Sequence, residues 1–134
     1  MSTAKEEITQ LIQAYFTRQS DFDGDGMLAF WHPAGQMYLV GNQGEFRVVT
    51  IEEQVGHIKD AKTHRPDLSV EFELEEIEQV TVHDELIACV HVRYRMVLPE
   101  GYGVHRCFYN LANMDGKWGI VNAVDRGLQV SPEA

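Results

Sequence analysis

Basic residues are scarce in this chain: 11 lysines and arginines stand against 21 aspartates and glutamates in 134 residues, a formal charge of −10. Nucleic-acid binding needs a clustered basic face to neutralise phosphates, so that partner class is excluded, together with anionic membrane surfaces. No apolar run approaches the ~20 residues of a membrane span. The polar start Met1-Ser-Thr-Ala-Lys-Glu-Glu7 lacks an apolar secretory core, so the expected location is cytoplasmic. Cysteine is reduced to two residues, too few for a disulfide framework. If Leu98 faces Val104 across a turn, Cys107 lies opposite Arg95, six strand positions from Cys89. At about 3.3 Å per residue that separation is on the order of 20 Å, and both are expected as free thiols. Repeats, low-complexity segments and linkers are also missing, so residues 1–134 read as one domain, large enough to bury a single core.

What is present is organised around the hairpin Arg106 to Asp125. Two runs rich in aromatic and β-branched residues flank Asp115-Gly116, a dipeptide that tolerates the positive φ angles of a type I′ turn. If Met114 and Lys117 close that turn, Asn113 meets Trp118, Leu111 meets Ile120, Tyr109 meets Asn122 and Cys107 meets Val124 on one face. The other face then carries Ala112 with Gly119, Asn110 with Val121, Phe108 with Ala123 and Arg106 with Asp125.

Ahead of the hairpin, Ile8, Leu11, Ile12, Tyr15 and Phe16 form the stripe of an amphipathic helix, with a capping box at Thr3-x-x-Glu6. A short helical turn through Met27, Leu28, Phe30 and Trp31 is stopped by Pro33. Residues 36–40 and 45–49 read as a hairpin around Gly41-Asn-Gln-Gly44. Thr50-x-x-Glu53 is a second capping box, opening a helix that buries Ile51, Val55 and Ile58. From Ser69 the period changes to two. Glu76 breaks the alternation of Val70, Phe72 and Leu74, which points to a β-bulge. Leu86, Ala88, Val90, Val92, Tyr94 and Met96 then alternate with polar neighbours. The order is α+β, with helices on one side of a curved sheet that ends in four long antiparallel strands.

The apolar set from Leu86 to Met96 must face the helices. With Leu98 opposite Val104, Tyr94 faces Phe108 and Val92 faces Asn110. The helix side then carries Tyr94, Arg106, Phe108, Asn110, Val121 and Asp125, a mixture of apolar walls and a few polar groups suited to a small-molecule site. Tyr15, Trp31 and Tyr38 complete the expected pocket lining. Arg106 and Asp125 form the chemical pair of the site, with the arginine lowering the carboxylate pKa and desolvation opposing it. Such a carboxylate abstracts an acidic proton or orients a water, and Asn110 polarises a carbonyl. The plainer alternatives are a cross-strand ion pair and a core amide. The opposite face holds Cys107, Tyr109, Leu111, Trp118 and Ile120, too many large apolar groups for a monomer, and predicts a homodimer interface.

Asp21-x-Asp-x-Asp-Gly26 matches the first half of a calcium loop, but the twelfth position is His32 where a bidentate glutamate belongs. A polar turn between helices is expected there. The six histidines do not converge, with His91 and His105 assigned to the outer face and only His32 and His57 able to meet, so no metal centre and no cofactor are expected.

The order of elements, the lead Gly24-Asp-Gly into Met-Leu-Ala-Phe-Trp-His-Pro33, and the closing Asp115-Gly-Lys-Trp-Gly-Ile-Val121 resemble the nuclear-transport-factor-2-like superfamily, and within it the SnoaL-like and putative lumazine-binding groups. The resemblance covers roughly residues 6–126. It implies a cone-shaped fold, three N-terminal helices on a strongly curved, antiparallel-rich mixed sheet with a pocket between them, and commonly a dimer through the outer face of the sheet. Relatives include isomerases, cyclases, dehydratases, epoxide hydrolases and non-enzymatic modules. Residues 36–40 carry no aspartate or glutamate where ketosteroid isomerase's base is expected, and lumazine-binding-type relatives often have aspartate at the position of Cys107. The expected function is therefore binding of a small molecule. The alternatives are an isomerase, cyclase or dehydratase using Asp125 as base with Arg106 and Asn110, and a non-catalytic interaction module.

Overall fold

Every helix begins where a side chain satisfies its free N–H groups. The computed structural model describes residues 3–67, 70–99 and 101–131. Helix α1 (Ala4–Ser20) starts at Thr3, whose hydroxyl accepts from the Glu6 N–H at 3.1 Å. It buries Ile8, Ile12, Tyr15, Phe16 and Gln19 along one face. Helix α2 (Gly24–Leu28) starts at Asp23, which accepts from Gly26 N–H at 2.9 Å. Helix α3 (Ile51–His64) opens with the complete capping box of Thr50 and Glu53 and buries Ile51 and Val55.

The strands are β1 (Trp31–Val40), β2 (Phe46–Thr50), β3 (Glu71–His83), β4 (Ile87–Leu98), β5 (Gly101–Met114) and β6 (Lys117–Ser131). They form one sheet in the order β2-β1-β6-β5-β4-β3, parallel only where β1 meets β6. The architecture is α+β with three helices on a mixed, mostly antiparallel six-stranded sheet. Strand β1 starts at Trp31, five residues before the expected Gln36. Pro33 is tolerated there because the β1–β6 register breaks between Trp31 and Gln36.

The turn at Asp115 and Gly116 has φ values of 55° and 85°, the two positive angles of a type I′ turn. The Asn113 side chain accepts from the Gly116 N–H at 2.9 Å. The expected pairs Asn113–Trp118, Ala112–Gly119 and Leu111–Ile120 form, but Asn110 then pairs with Asn122, leaving Val121 as an extra residue. The bulge expected near Glu76 occurs between Leu74 and Glu76, and a second follows between Ile77 and Gln79.

One connection corrects the expected faces. Leu98 pairs with Gly101, not Val104, so only two residues separate β4 from β5. The shift is odd in number, and side chains alternate, so the whole of β5 turns over relative to β4. The residues expected at a dimer interface, Cys107, Tyr109, Leu111, Trp118 and Ile120, are all at most 6% exposed and belong to the core under the helices. Arg106, Phe108 and Asn110 point to the outer face instead. The bulge at Val121 then flips β6 as well, bringing Ala123 and Asp125 inward. Cys107 therefore pairs with Val92, closer to Cys89 than expected, but the two thiols lie on opposite faces and are free.

This inversion has a direct stability consequence. Leu111→Ala and Ile120→Ala should each lower the unfolding free energy by about 2–5 kcal/mol, because both side chains are fully enclosed. Urea unfolding of the two variants measures it, and losses below about 0.5 kcal/mol would place them on the surface.

Candidate functional site

On the inner face, β4, β5 and β6 bring together Tyr94, His105, Cys107, Tyr109 and Asp125, and α1 lays Tyr15 and Phe16 over them. Asp125 is 8% exposed. Its Oδ2 accepts a short hydrogen bond from the Tyr94 hydroxyl. Its Oδ1 lies 2.7 Å from His105 Nδ1. Tyr94 and His105 face each other across β4 and β5, and their rings stack at 4.9 Å and 13°. The imidazole is thus held in tilt by the tyrosine ring and in tautomer by the carboxylate: with Nδ1–H donated to Asp125, the free lone pair falls on Nε2. The His105 side chain is 21% exposed, so the ring lies at the edge of the core.

Aromatic rings wall the cluster. Phe16 packs on Tyr94 at 5.2 Å, Phe72 lies 6.4 Å from it, and Tyr15 contacts Trp31 and Tyr109 edge-on. Burial pushes the Tyr15, Tyr94 and Tyr109 hydroxyls well above the ordinary phenol range, and the Asp125 charge adds to it. Burial, then Asp125, likewise raises the Cys107 thiol. The Tyr15 hydroxyl and Trp31 Nε1 are buried beside each other, close enough for the indole N–H to offset part of the rise in the phenol's pKa, and neither has another hydrogen-bond partner.

The expected site is redrawn accordingly. Of the proposed trio, only Asp125 faces inward. Arg106 stands opposite Arg126 and binds Glu78 at 2.5 Å on the outer face. Asn110 donates to Asn122 at 2.7 Å on that same face. Among the expected lining residues, Tyr15, Trp31 and Tyr94 are buried in the core, while Phe108 is 45% exposed on the outside. Val121 is the bulged residue, and Tyr38 packs near Phe46 at 6.4 Å. His105, expected on the outer face, stands opposite Tyr94 and bonds Asp125 on the inner one. Gly101 and Gly103 permit a tight connection as well as a long one, so the local residues leave the parity of β5 open, and the Leu98–Gly101 pairing sets it.

Asp21-x-Asp-x-Asp does not gather its carboxylates. Asp23 caps α2 and lies 3.5 Å from Arg18, and Asp25 binds Lys59 at 2.6 Å. Among the described residues, no three His, Cys, Asp or Glu side chains cluster as a metal site, and no helix is long and apolar enough to cross a membrane.

An open groove of about 1070 Å³ lies between α1 and β3, lined by Thr9, Gln10, Gln13, Ile77, Val80 and Val82. It lies away from the titratable cluster, so its size does not mark the chemistry. A second cleft of about 390 Å³ continues along the same seam past Gln13 to Phe16, Ser20, Phe72 and Leu74. Two of its walls, Phe16 and Phe72, are the rings packed on Tyr94. Ser20 Oγ bonds both the carbonyl and the N–H of Phe72, at 3.2 and 3.1 Å, and fixes this end of the seam.

A family model described as putative lumazine-binding matches residues 3–124. No curated protein matches the sequence significantly. Among solved structures, an NTF2-like protein from Cytophaga hutchinsonii is similar at a TM-score of 0.73 and 13% identity, covering 94% of this chain and 99% of its own. A ketosteroid isomerase-like protein from Erwinia carotovora atroseptica reaches 0.70 at 14% identity, with 96% and 99% covered. A domain of unknown function with a cystatin-like fold from Nostoc punctiforme reaches 0.66 at 17%, with 94% and 78% covered. At these identities the likeness establishes the fold alone.

The raised tyrosines make stability fall at high pH. Above about pH 10 the unfolded chain releases phenolic protons that the native state retains, so it binds fewer protons and unfolding becomes easier as pH rises. Absorbance at 295 nm should show Tyr15, Tyr94 and Tyr109 ionising only in a cooperative step coincident with loss of circular dichroism. Smooth ionisation of all five tyrosines before unfolding would contradict the burial.

Proposed function

The chain belongs to the family described as putative lumazine-binding, and from that premise we propose that it binds a small organic molecule beside the His105–Asp125–Tyr94 cluster. The observation that carries this reading is the half-enclosed imidazole with Nδ1 committed to a buried carboxylate 2.7 Å away. That bond orients Nε2 as an acceptor for a ligand O–H or N–H. The surrounding aromatic walls suit a largely apolar, planar molecule. Asp125 is already balanced by two donors, so the cluster offers no spare cation to an anionic ligand. The cleft lined by Phe16 and Phe72 is the proposed approach, since both rings pack on Tyr94.

The same bond favours a second reading, an acid–base enzyme of the isomerase, cyclase or dehydratase kind. Here His105 Nε2 takes a proton from an acidic O–H or C–H and returns it, and Asp125 stabilises the imidazolium through Nδ1–H. Asp125 is then a positioning residue and not the base. Arg106 and Asn110, on the far face, take no part.

The pteridine lumazine serves as probe for both readings, followed by its fluorescence anisotropy. Asp125→Asn and His105→Gln should each weaken binding about 10-fold or more, the loss of a charge-assisted hydrogen bond. Arg106→Gln should leave it unchanged. Equal binding by all three variants, with native circular dichroism, would remove the site from this cluster.

The outer face is proposed as a homodimer interface. Phe108 and Val124, paired on β5 and β6, and Val48 and Phe46, on β2 across Tyr38 of β1, are 37–65% exposed there. Burying such a patch favours association. Light scattering should give twice the mass of one chain, and a monomer at micromolar concentration would overturn it.

A further inference from the structure

His105 stands in one row across the sheet, between Tyr94 on β4 and Gly127 on β6. The tyrosine ring covers the imidazole on one side. On the Gly127 side there is no side chain. A Cβ added to Gly127 would meet the main-chain nitrogen of Asn42 at 3.3 Å, His105 Cε1 at 3.6 Å and the Gly41 carbonyl carbon at 3.8 Å. The backbone of Asn42 and the edge of the imidazole thus approach one point on the inner face from two sides. Glycine at 127 permits this, because a methyl there would press on the Asn42 backbone.

The connection between β1 and β2 carries Asn42 to that place. Strand β1 leaves its last partner on β6, Arg126, at Val40. Gly41 to Gly44 then close a turn in which the Gly44 N–H donates to the Gly41 carbonyl at 2.9 Å. Neither Asn42 nor Gln43 has a positive φ, as in a type I turn, and glycine stands at the fourth position, where that turn favours it. The turn is well tied. Gly41 N–H donates to the Glu45 carbonyl at 2.8 Å, Gln43 N–H donates to Glu45 Oε1 at 3.2 Å, and Arg126 donates to the Gly41 carbonyl. Three of its four N–H groups are therefore bonded. The fourth, that of Asn42, has no hydrogen-bond partner among the described residues, since the turn's own bond uses only its first and last residues.

Resting on the small-molecule site proposed above, we propose that the main-chain N–H of Asn42 is the second polar contact of that site. It holds a carbonyl oxygen of the ligand while His105 Nε2 accepts from an adjoining N–H or O–H. The ligand class that follows is a flat molecule carrying a donor and a carbonyl side by side on one edge. Arg106 and Asn110 face the other way and cannot supply this donor, whereas a main-chain N–H is held in place by the turn and brings no charge that needs balancing. In the acid–base reading, the substrate C–H proton passes to Nε2, its electron pair forms the new C=C bond, and the carbonyl π pair moves onto the oxygen held by Asn42.

The test compares Asn42→Pro, which removes the N–H at a turn position proline favours, with Asn42→Ala, which keeps it. The probes are lumazine, which carries N–H groups beside its carbonyls, and 1,3-dimethyllumazine, which keeps the carbonyls alone. Asn42→Pro should bind both probes about 5- to 10-fold more weakly than Asn42→Ala, the loss of one hydrogen bond. The penalty of His105→Gln should be present with lumazine and absent with the dimethyl compound. In the parent chain, amide hydrogen exchange at Asn42 should slow about 10-fold or more when lumazine binds, which checks the contact without any substitution. Equal binding by the proline and alanine variants, or unchanged exchange at Asn42, would overturn this contact and leave the His105 site standing. Failure of the parent chain to bind lumazine, or equal lumazine binding by His105→Gln, would instead remove the site itself and this contact with it.

Discussion

The carboxylate of Asp125 sets the terms for the inner face. It is a charged group in a core of aromatic rings, where an unpaired charge is not tolerated. Its two oxygens are taken by Tyr94 and His105. Its charge, added to burial, also keeps the phenols of Tyr15, Tyr94 and Tyr109 and the thiol of Cys107 protonated. The cluster therefore works as a set of donors around one anion, with the imidazole edge as its contact with the outside. Whatever binds there meets hydroxyls and an imidazole lone pair, not a second charge.

Asp125 reaches that position only because β6 carries one residue too many. Without the extra residue at Val121, alternation would put Val124 inside and Asp125 outside, beside the arginines. The bulge moves the row Val124, Arg126 outward and Asp125 inward at the same step. The tight β4–β5 connection does the same for β5, exchanging Arg106 and Phe108 for His105 and Cys107. Two local features, a one-residue bulge and a two-residue connection, thus decide which side chains face the core and which face outward.

This also explains what could be read in the sequence. The caps at Thr3 and Thr50, the helical stripe of α1, the type I′ turn at Asp115-Gly116, the inward set Val90, Val92 and Tyr94 and the bulge near Glu76 all follow from local chemistry, and local chemistry is written in neighbouring residues. The β4–β5 connection is different. Pro99-Glu-Gly-Tyr-Gly103 accommodates a long or a tight turn equally, since glycine stands at both 101 and 103, and the choice between them is made by packing far away. Val121 carries no mark at all: a valine in a strand looks the same whether paired or bulged. A single undetermined step of parity then propagates along two strands. Arg106, Asn110, Phe108 and the five core residues from Cys107 to Ile120 changed faces together, and Asp125 kept its inward place through a second flip.

Alternation ties the two faces into one mechanical unit. Tyr94 sits between Arg93 and Arg95, His105 and Cys107 lie on either side of Arg106, and Asp125 is flanked by Val124 and Arg126. Each inner group shares its backbone with members of the outer rows. The short bond from Tyr94 to Asp125 depends on the spacing of β4, β5 and β6 staying fixed. Arg93, Arg106 and Arg126 stand in register across those same strands, beside Glu75, Glu78 and the Gly41 carbonyl respectively. Tyr94 and Asp125 stand on β4 and β6 with β5 between them, so a substitution that spreads these strands at the outer row also reaches the inner hydrogen bonds.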